Sequence, residues 1–142
     1  MKRRAVLIDA GPLVAIVSRR DAHHEHCVAE LANLPAPLLT CWPVLAEAFW
    51  LVRQNPAAVA GLFRGFTDGL WALVPVGPES LPWLEAFLKR YHKIGAQLAD
   101  ACLVYLAEQG GIDTVFTLDR RDFSVYRYGK NRRLRIIPAP PH

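Results

Sequence analysis

No stretch of the 142 residues approaches the ~18 consecutive apolar side chains that a membrane-crossing helix needs, so no membrane span is expected. Cysteine is scarce: Cys27, Cys41 and Cys102 are odd in number, and no two stand at C-x-x-C spacing. That argues against a disulfide framework and against a zinc site, and leaves buried free thiols in a reducing cytoplasm. The phosphate-cradling and nucleophile signatures are missing as well: G-x-x-x-x-G-K-[ST], G-x-G-x-x-G and G-x-S-x-G do not occur. Repeats, low-complexity tracts and interdomain linkers are absent, and the length suits one domain spanning 1–142. Met1-Lys2-Arg3-Arg4 is basic, but Asp9 and Pro12 interrupt the short apolar run behind it, so a signal peptide is not expected.

The formal charge is +4, and it is unevenly spread. Arg120, Arg121, Arg127, Lys130, Arg132, Arg133 and Arg135 crowd the last quarter. Two readings stand level: a solvated basic surface, or contact with a polyanion.

What the chain does have is four carboxylates in apolar surroundings. Asp9 closes Ala5-Val6-Leu7-Ile8, and Asp119 follows Val115-Phe116-Thr117-Leu118. Glu47 sits on a helical stretch with Pro43, Val44, Trp50 and Leu51 as its three- and four-residue neighbours, and Asp100 has Ala96, Gln97, Leu103 and Val104. Withdrawing an ionised carboxylate from water costs several kcal/mol or more unless it is paired or binds a metal. No cation lies on the same helix face as Glu47 or Asp100. One shared cation site therefore explains four placements better than four separate ion pairs. Asp9 alone could merely cap the helix that Gly11-Pro12 begins, and Asp122, a possible fifth oxygen, is more readily read as pairing with arginine or capping a turn.

The apolar pattern alternates strands with helices. Strands are expected at 4–9, 38–40, 71–76, 115–118 and 134–137. Helices are expected at 12–18, over about ten residues ending near Asn33, from a Thr40 cap to about Gln54, from Asn55 to about Asp68, through Trp83–Tyr91, and from Ile94 to Gln109, where Gly110-Gly111 stops the last of them. This is an α/β chain with a central, mainly parallel sheet of four to five strands flanked by helices. In such sheets sites lie beyond the carboxyl ends of strands, where Asp9 and Asp119 fall and Thr117 can turn its oxygen the same way. Asp113, at the opposite end of its strand, is set aside as a solvated loop residue.

An all-oxygen ligand set suits Mg²⁺ or Mn²⁺, which can ionise water and neutralise charge on a phosphodiester. His23, His24 and His26 have no acids or cysteines at convincing spacing and are read as solvated or capping. Asp9-Ala10-Gly11 lacks the second acid of an aspartyl-phosphate phosphatase, and Leu7-Ile8-Asp9 lacks the acidic pair of a receiver domain. Of Trp42, Phe49, Trp50, Phe63, Phe66 and Trp71, most are expected in the core, the remainder being candidates for a homodimer surface or a partner groove.

Val6-Leu7-Ile8-Asp9, Leu45-Ala46-Glu47-Ala48, Leu98-Ala99-Asp100-Ala101 and Thr117-Leu118-Asp119-Arg120-Arg121-Asp122-Phe123 come in an order that resembles the PIN-domain nucleases, most closely the VapC-like ribonuclease toxins. The resemblance covers nearly the whole chain. One departure is Ala10-Gly11, where many relatives carry a hydroxyl after the first Asp. The resemblance implies that Asp9, Glu47, Asp100 and Asp119 hold Mg²⁺ or Mn²⁺, with Thr117 in support and Arg120 or Arg121 on the phosphate of an RNA substrate. It also implies a cytoplasmic toxin, a cognate antitoxin and a homodimer. The alternatives are a non-catalytic interaction module of the same fold, or a nuclease acting on DNA or in RNA processing.

Overall fold

The computed structural model describes residues 4–140, so Met1, Lys2 and Arg3 of the basic stretch lie outside the described residues. The order of elements is β1 (Leu7–Ile8), α1 (Ala10–Val17), α2 (His24–Ala32), β2 (Leu38–Thr40), α3 (Trp42–Leu51), α4 (Pro56–Thr67), β3 (Trp71–Leu73), α5 (Leu81–Arg90), α6 (Leu98–Gly110), β4 (Thr114–Phe116), α7 (Arg120–Phe123) and β5 (Arg135–Ile137). The five strands form one parallel sheet in the order β3-β2-β1-β4-β5. This is the α/β architecture with helix-flanked parallel strands that the alternating pattern led us to expect.

The central strands have no polar face to turn to water. Leu7, Ile8, Val115 and Phe116 are wholly buried, as strands covered by helices on both sides must be. The chain builds β1, β2 and β3 outward in one direction, then crosses back to place β4 and β5 on the other side of β1. A crevice opens where that order reverses, beyond the carboxyl ends of β1 and β4. Asp9 is the residue after β1, and its N–H still bonds the Phe116 carbonyl of β4 at 2.9 Å.

Several boundaries differ from the sequence reading. The strand expected over 4–9 pairs as β1 only at Leu7–Ile8, and the one over 71–76 shortens to β3 because its partner β2 ends at Thr40, whose carbonyl takes the last bond from the Val74 N–H. Thr40 does not cap α3. It lies in β2 with a buried, unpartnered Oγ1, and Cys41 takes the cap position without a side-chain bond. The helix expected from Ile94 begins instead at Leu98. A 3₁₀ turn over His92–Ile94 ends on Gly95 at φ 72, a left-handed conformation that favours glycine and breaks the helical path. The later start puts Asp100 in the first turn of α6, where the helix dipole favours negative charge.

Asn55 caps α4 as its position suggested, accepting from the Ala58 N–H at 3.1 Å. The aromatic residues divide. Trp71 is buried, its indole N–H donating to the Leu62 carbonyl at 2.9 Å, while Phe49 and Phe66 are half-buried. Trp42, Trp50 and Phe63 are 68%, 62% and 61% exposed, which overturns a core role for these three. The cause is the narrow buried stripe of their helices: α3 buries Val44, Leu45 and Ala48, and α4 buries Ala58, Leu62 and Gly65. No described helix is long and apolar enough to cross a membrane.

Gly65 sets how closely α4 lies on β3. A Cβ there would stand 2.0 Å from the Trp71 ring, and that ring is fixed by its hydrogen bond and full burial. Overpacking of this kind costs about 1–3 kcal/mol. Gly65→Ala is therefore expected to lower the urea-unfolding free energy by that amount, and a variant as stable as wild type would contradict the packing.

Candidate metal centre

Four elements feed one cleft of about 480 Å³ at the carboxyl end of the sheet. Its lining includes Asp9 after β1, Glu47 of α3, Asp100 of α6, and Asp119 and Asp122 at the start of α7. Residues as far apart as Asp9 and Asp119 meet because β1 and β4 are neighbours. Carboxylate oxygens of Asp100, Asp119 and Asp122 lie within 4.8 Å of one another. Asp113 stands apart at the amino end of β4, tied to Arg4 at 2.6 Å and to the Thr114 hydroxyl at 2.9 Å.

Asp9 is held most firmly. One oxygen accepts from the Ala10 N–H at 2.8 Å and the other from the Thr117 hydroxyl at 2.7 Å. The Thr117 oxygen in turn accepts from the Asp119 N–H at 3.1 Å, linking the ends of β1 and β4. Asp9 thus serves as the cap of α1 and also faces the cleft. Although Ala10 brings no hydroxyl, a backbone amide and a threonine from another strand bond the carboxylate. Asp119 also caps α7, accepting from the Asp122 N–H at 3.1 Å.

Among the described residues no lysine or arginine pairs with these carboxylates, and only Arg121 eases the repulsion, at Asp122. Among the described residues the ion pairs are Arg4 with Asp113 and Lys89 with Glu85, both outside the cleft. The consequence is visible in acidity. Burial pushes Asp9 up to about 6 against the opposing bonds from Thr117 and Ala10, with Glu47 and Asp119 adding repulsion. Burial likewise raises Asp100 to about 6, opposed by the Tyr126 hydroxyl and assisted by Asp9, Asp119 and Asp122. Glu47 is raised by burial and then by Asp100, and Asp122 by burial and then by Asp119.

The two candidate phosphate contacts differ. Arg120 turns one Nη onto the carbonyls of Pro138 at 2.7 Å and Ile136 at 3.4 Å, so part of it braces the segment after β5. Arg121 is exposed, with no side-chain partner among the described residues. Arg127, in the same basic stretch, is spent on the carbonyls of Ser124, Val125 and Tyr126. Sequence reasoning missed Tyr126. Its hydroxyl donates to Asp100 at 2.7 Å from within a cluster formed with Phe87, Tyr91 and Phe123. A tyrosine 26 residues downstream carries no local mark of that bond. Gln97, beside Asp100 at the head of α6, also lines the cleft and was not singled out.

The family model of the PIN domain matches residues 6–128. The chain belongs to the PIN-domain family. It is 30% identical over 136 residues to Ribonuclease VapC26 of Mycobacterium tuberculosis, an alignment covering 94% of this chain and 100% of that one. Among solved structures it resembles VapC20 of Mycobacterium tuberculosis, described as a Sarcin-Ricin loop cleaving toxin, with a TM-score of 0.73. That alignment has 20% identity and covers 82% of this chain and 92% of the other, which speaks for the PIN fold alone.

The donors present in this PIN domain fit a hard divalent cation. They are all oxygens, they crowd one cleft, and the raised pKa values of Asp9, Glu47, Asp100 and Asp122 mark negative charge that no ion-paired base balances among the described residues. Without a cation, stability should depend on pH. Asp9 and Asp100 have folded values above the ordinary 3.8, so the folded chain holds more protons between the two values. The stability gained from their protonated forms is complete below about 3.8 and is lost as pH rises through about 6. For Asp9 the loss is up to ~3 kcal/mol. Asp100→Asn is accordingly expected to raise the melting temperature in EDTA at pH 7, with no gain at pH 4. An unchanged or lowered value at pH 7 would count against the electrostatic account.

Proposed function

We propose that this chain is a Mg²⁺- or Mn²⁺-dependent endoribonuclease, a single PIN domain acting as the toxin of a toxin–antitoxin pair. The observation that supports the reading best is the five-carboxylate cleft with no ion-paired lysine or arginine among the described residues. A catalytically idle scaffold gains nothing from crowding like charges so closely that Asp9, Glu47, Asp100 and Asp122 are all raised. Asp9, Glu47, Asp100 and Asp119 hold the cation, and Asp122 is placed to add a fifth oxygen. Thr117 fixes the rotamer of Asp9, and Tyr126 does the same for Asp100. Bound there, a hard cation supplies an acidified water and offsets charge on the phosphodiester during in-line displacement. Arg121, and the donors of Arg120 that its carbonyl bonds leave free, meet the phosphates of the RNA strand. The 30% identity to a VapC ribonuclease favours RNA over DNA as the substrate.

Trp42, Trp50 and Leu51 of α3 and Phe63 of α4 are large apolar side chains left exposed on these two helices. We assign this area to protein contact, by a second copy of the chain and by a cognate antitoxin. The buried free thiols Cys27, Cys41 and Cys102 suit a reducing cytoplasm.

Cleavage of matched single-stranded RNA and DNA, with Mg²⁺ or Mn²⁺, tests the activity. RNA alone is expected to be cut. Losing an outer hydrogen-bonding partner of a metal ligand costs roughly 10–100-fold, and Asp100→Asn, which alters a ligand itself, is expected to lose at least that much. Equal cleavage by both proteins would end the mechanism, and equal cleavage of DNA would change the substrate. Sedimentation of the chain alone is expected to give a dimer that Trp50→Glu converts to monomer, whereas a wild-type monomer would refute the self-contact.

A further inference from the structure

A second, smaller cleft of about 140 Å³ adjoins the acidic one. His23 and His26 line it, together with Leu118, Arg120, Pro138 and Pro140. Leu118 borders both clefts, and Thr117, whose hydroxyl grips Asp9, also reaches this one. A strand laid across Leu118 would therefore occupy the two together.

The histidines were read from the sequence as solvated or capping, and the structure separates them. His24 turns its Nδ1 onto the Ala15 carbonyl of α1 at 2.7 Å. His23 stands at the cap position of α2 without making a side-chain cap bond. It lies three residues from His26, so both rings can serve one side of the first turn. Neither ring has a hydrogen-bond partner among the described residues, and both side chains are exposed. No carboxylate or thiol lines the cleft, which leaves the imidazoles without the companions of a metal site.

The remaining walls are mostly apolar. Pro138, Ala139 and Pro140 line them, and one Nη of the Arg120 guanidinium is held by the Pro138 and Ile136 carbonyls. Imidazole rings and a fixed guanidinium plane are the surfaces on which unpaired bases stack in RNA recognition. The position makes physical sense. Five acids repel a phosphate chain, so a strand approaching them gains from a neighbouring contact that does not depend on charge.

We propose that the His23–His26–Arg120 cleft is a nucleobase subsite, holding an unpaired base of the RNA strand next to the bond that is cut. The proposal rests on the ribonuclease reading above but is tested apart from it, by binding without turnover. The probes are two fluorescein-labelled single-stranded ten-mers: a mixed-sequence oligoribonucleotide and an abasic ribose-phosphate chain of the same length. Both are titrated into Asp100→Asn protein, with and without His23→Ala/His26→Ala.

Because stacking on aromatic side chains contributes to the affinity of each unpaired base, the double substitution is expected to weaken binding of the base-bearing chain about tenfold. The abasic chain should be unaffected, and His23→Phe/His26→Phe should restore the affinity because phenyl rings also stack. Because both histidines are exposed, melting temperatures should match, and if the alanine variant melts early the phenylalanine pair decides the question. Equal affinity for the base-bearing chain, an equal loss on the abasic chain, failure of phenylalanine to restore binding, or no binding by any protein would overturn the subsite. Should the wild type bind as described yet fail to cut RNA with Mg²⁺ or Mn²⁺, the nuclease reading falls and the subsite stands.

Discussion

The gathering of like charge at the carboxyl ends of β1 and β4 is the constraint around which the molecule is arranged. Crowded carboxylates repel, and among the described residues no lysine or arginine forms an ion pair with them. The fold tolerates them through directed hydrogen bonds: Ala10 and Thr117 to Asp9, Tyr126 to Asp100, and the Asp122 amide to Asp119. Each lowers the cost of keeping one oxygen dry without neutralising the cluster. The sheet order supplies the rest, because only the reversal between β1 and β4 brings residue 9 beside residue 119.

Much of this was legible in the amino-acid order, for physical reasons that differ between residues. Asp9 and Asp119 stood out because an acid ending an apolar strand occupies the edge where parallel sheets open. Glu47 and Asp100 stood out because their helical neighbours were apolar and offered no cation. A mainly parallel sheet of four to five strands followed from the alternation of strands with helices.

What escaped was whatever depends on contacts distant in sequence or on a single backbone angle. The left-handed turn at Gly95 is invisible to apolar periodicity, which runs on through Ile94 and Ala96 and so placed the start of α6 too early. Thr40 carries the usual signature of a cap but is claimed by the sheet, a case of tertiary pairing overriding local preference. The exposure of Trp42, Trp50 and Phe63 could not be inferred from hydrophobicity, since an apolar side chain reads the same whether it meets a core or the solvent. Tyr126 and the two histidines of the smaller cleft reach their places only through the packing of α2, α6 and the segment after α7.

The raised pKa values of Asp9 and Asp100 have a last consequence. Any ion that settles among these oxygens must expel the hydrogens they would otherwise keep in mildly acidic water. Occupancy and acidity are thus tied together in opposite senses. The conditions under which the empty scaffold is most comfortable are those in which it is chemically disarmed, and loading it trades internal repose for reactivity.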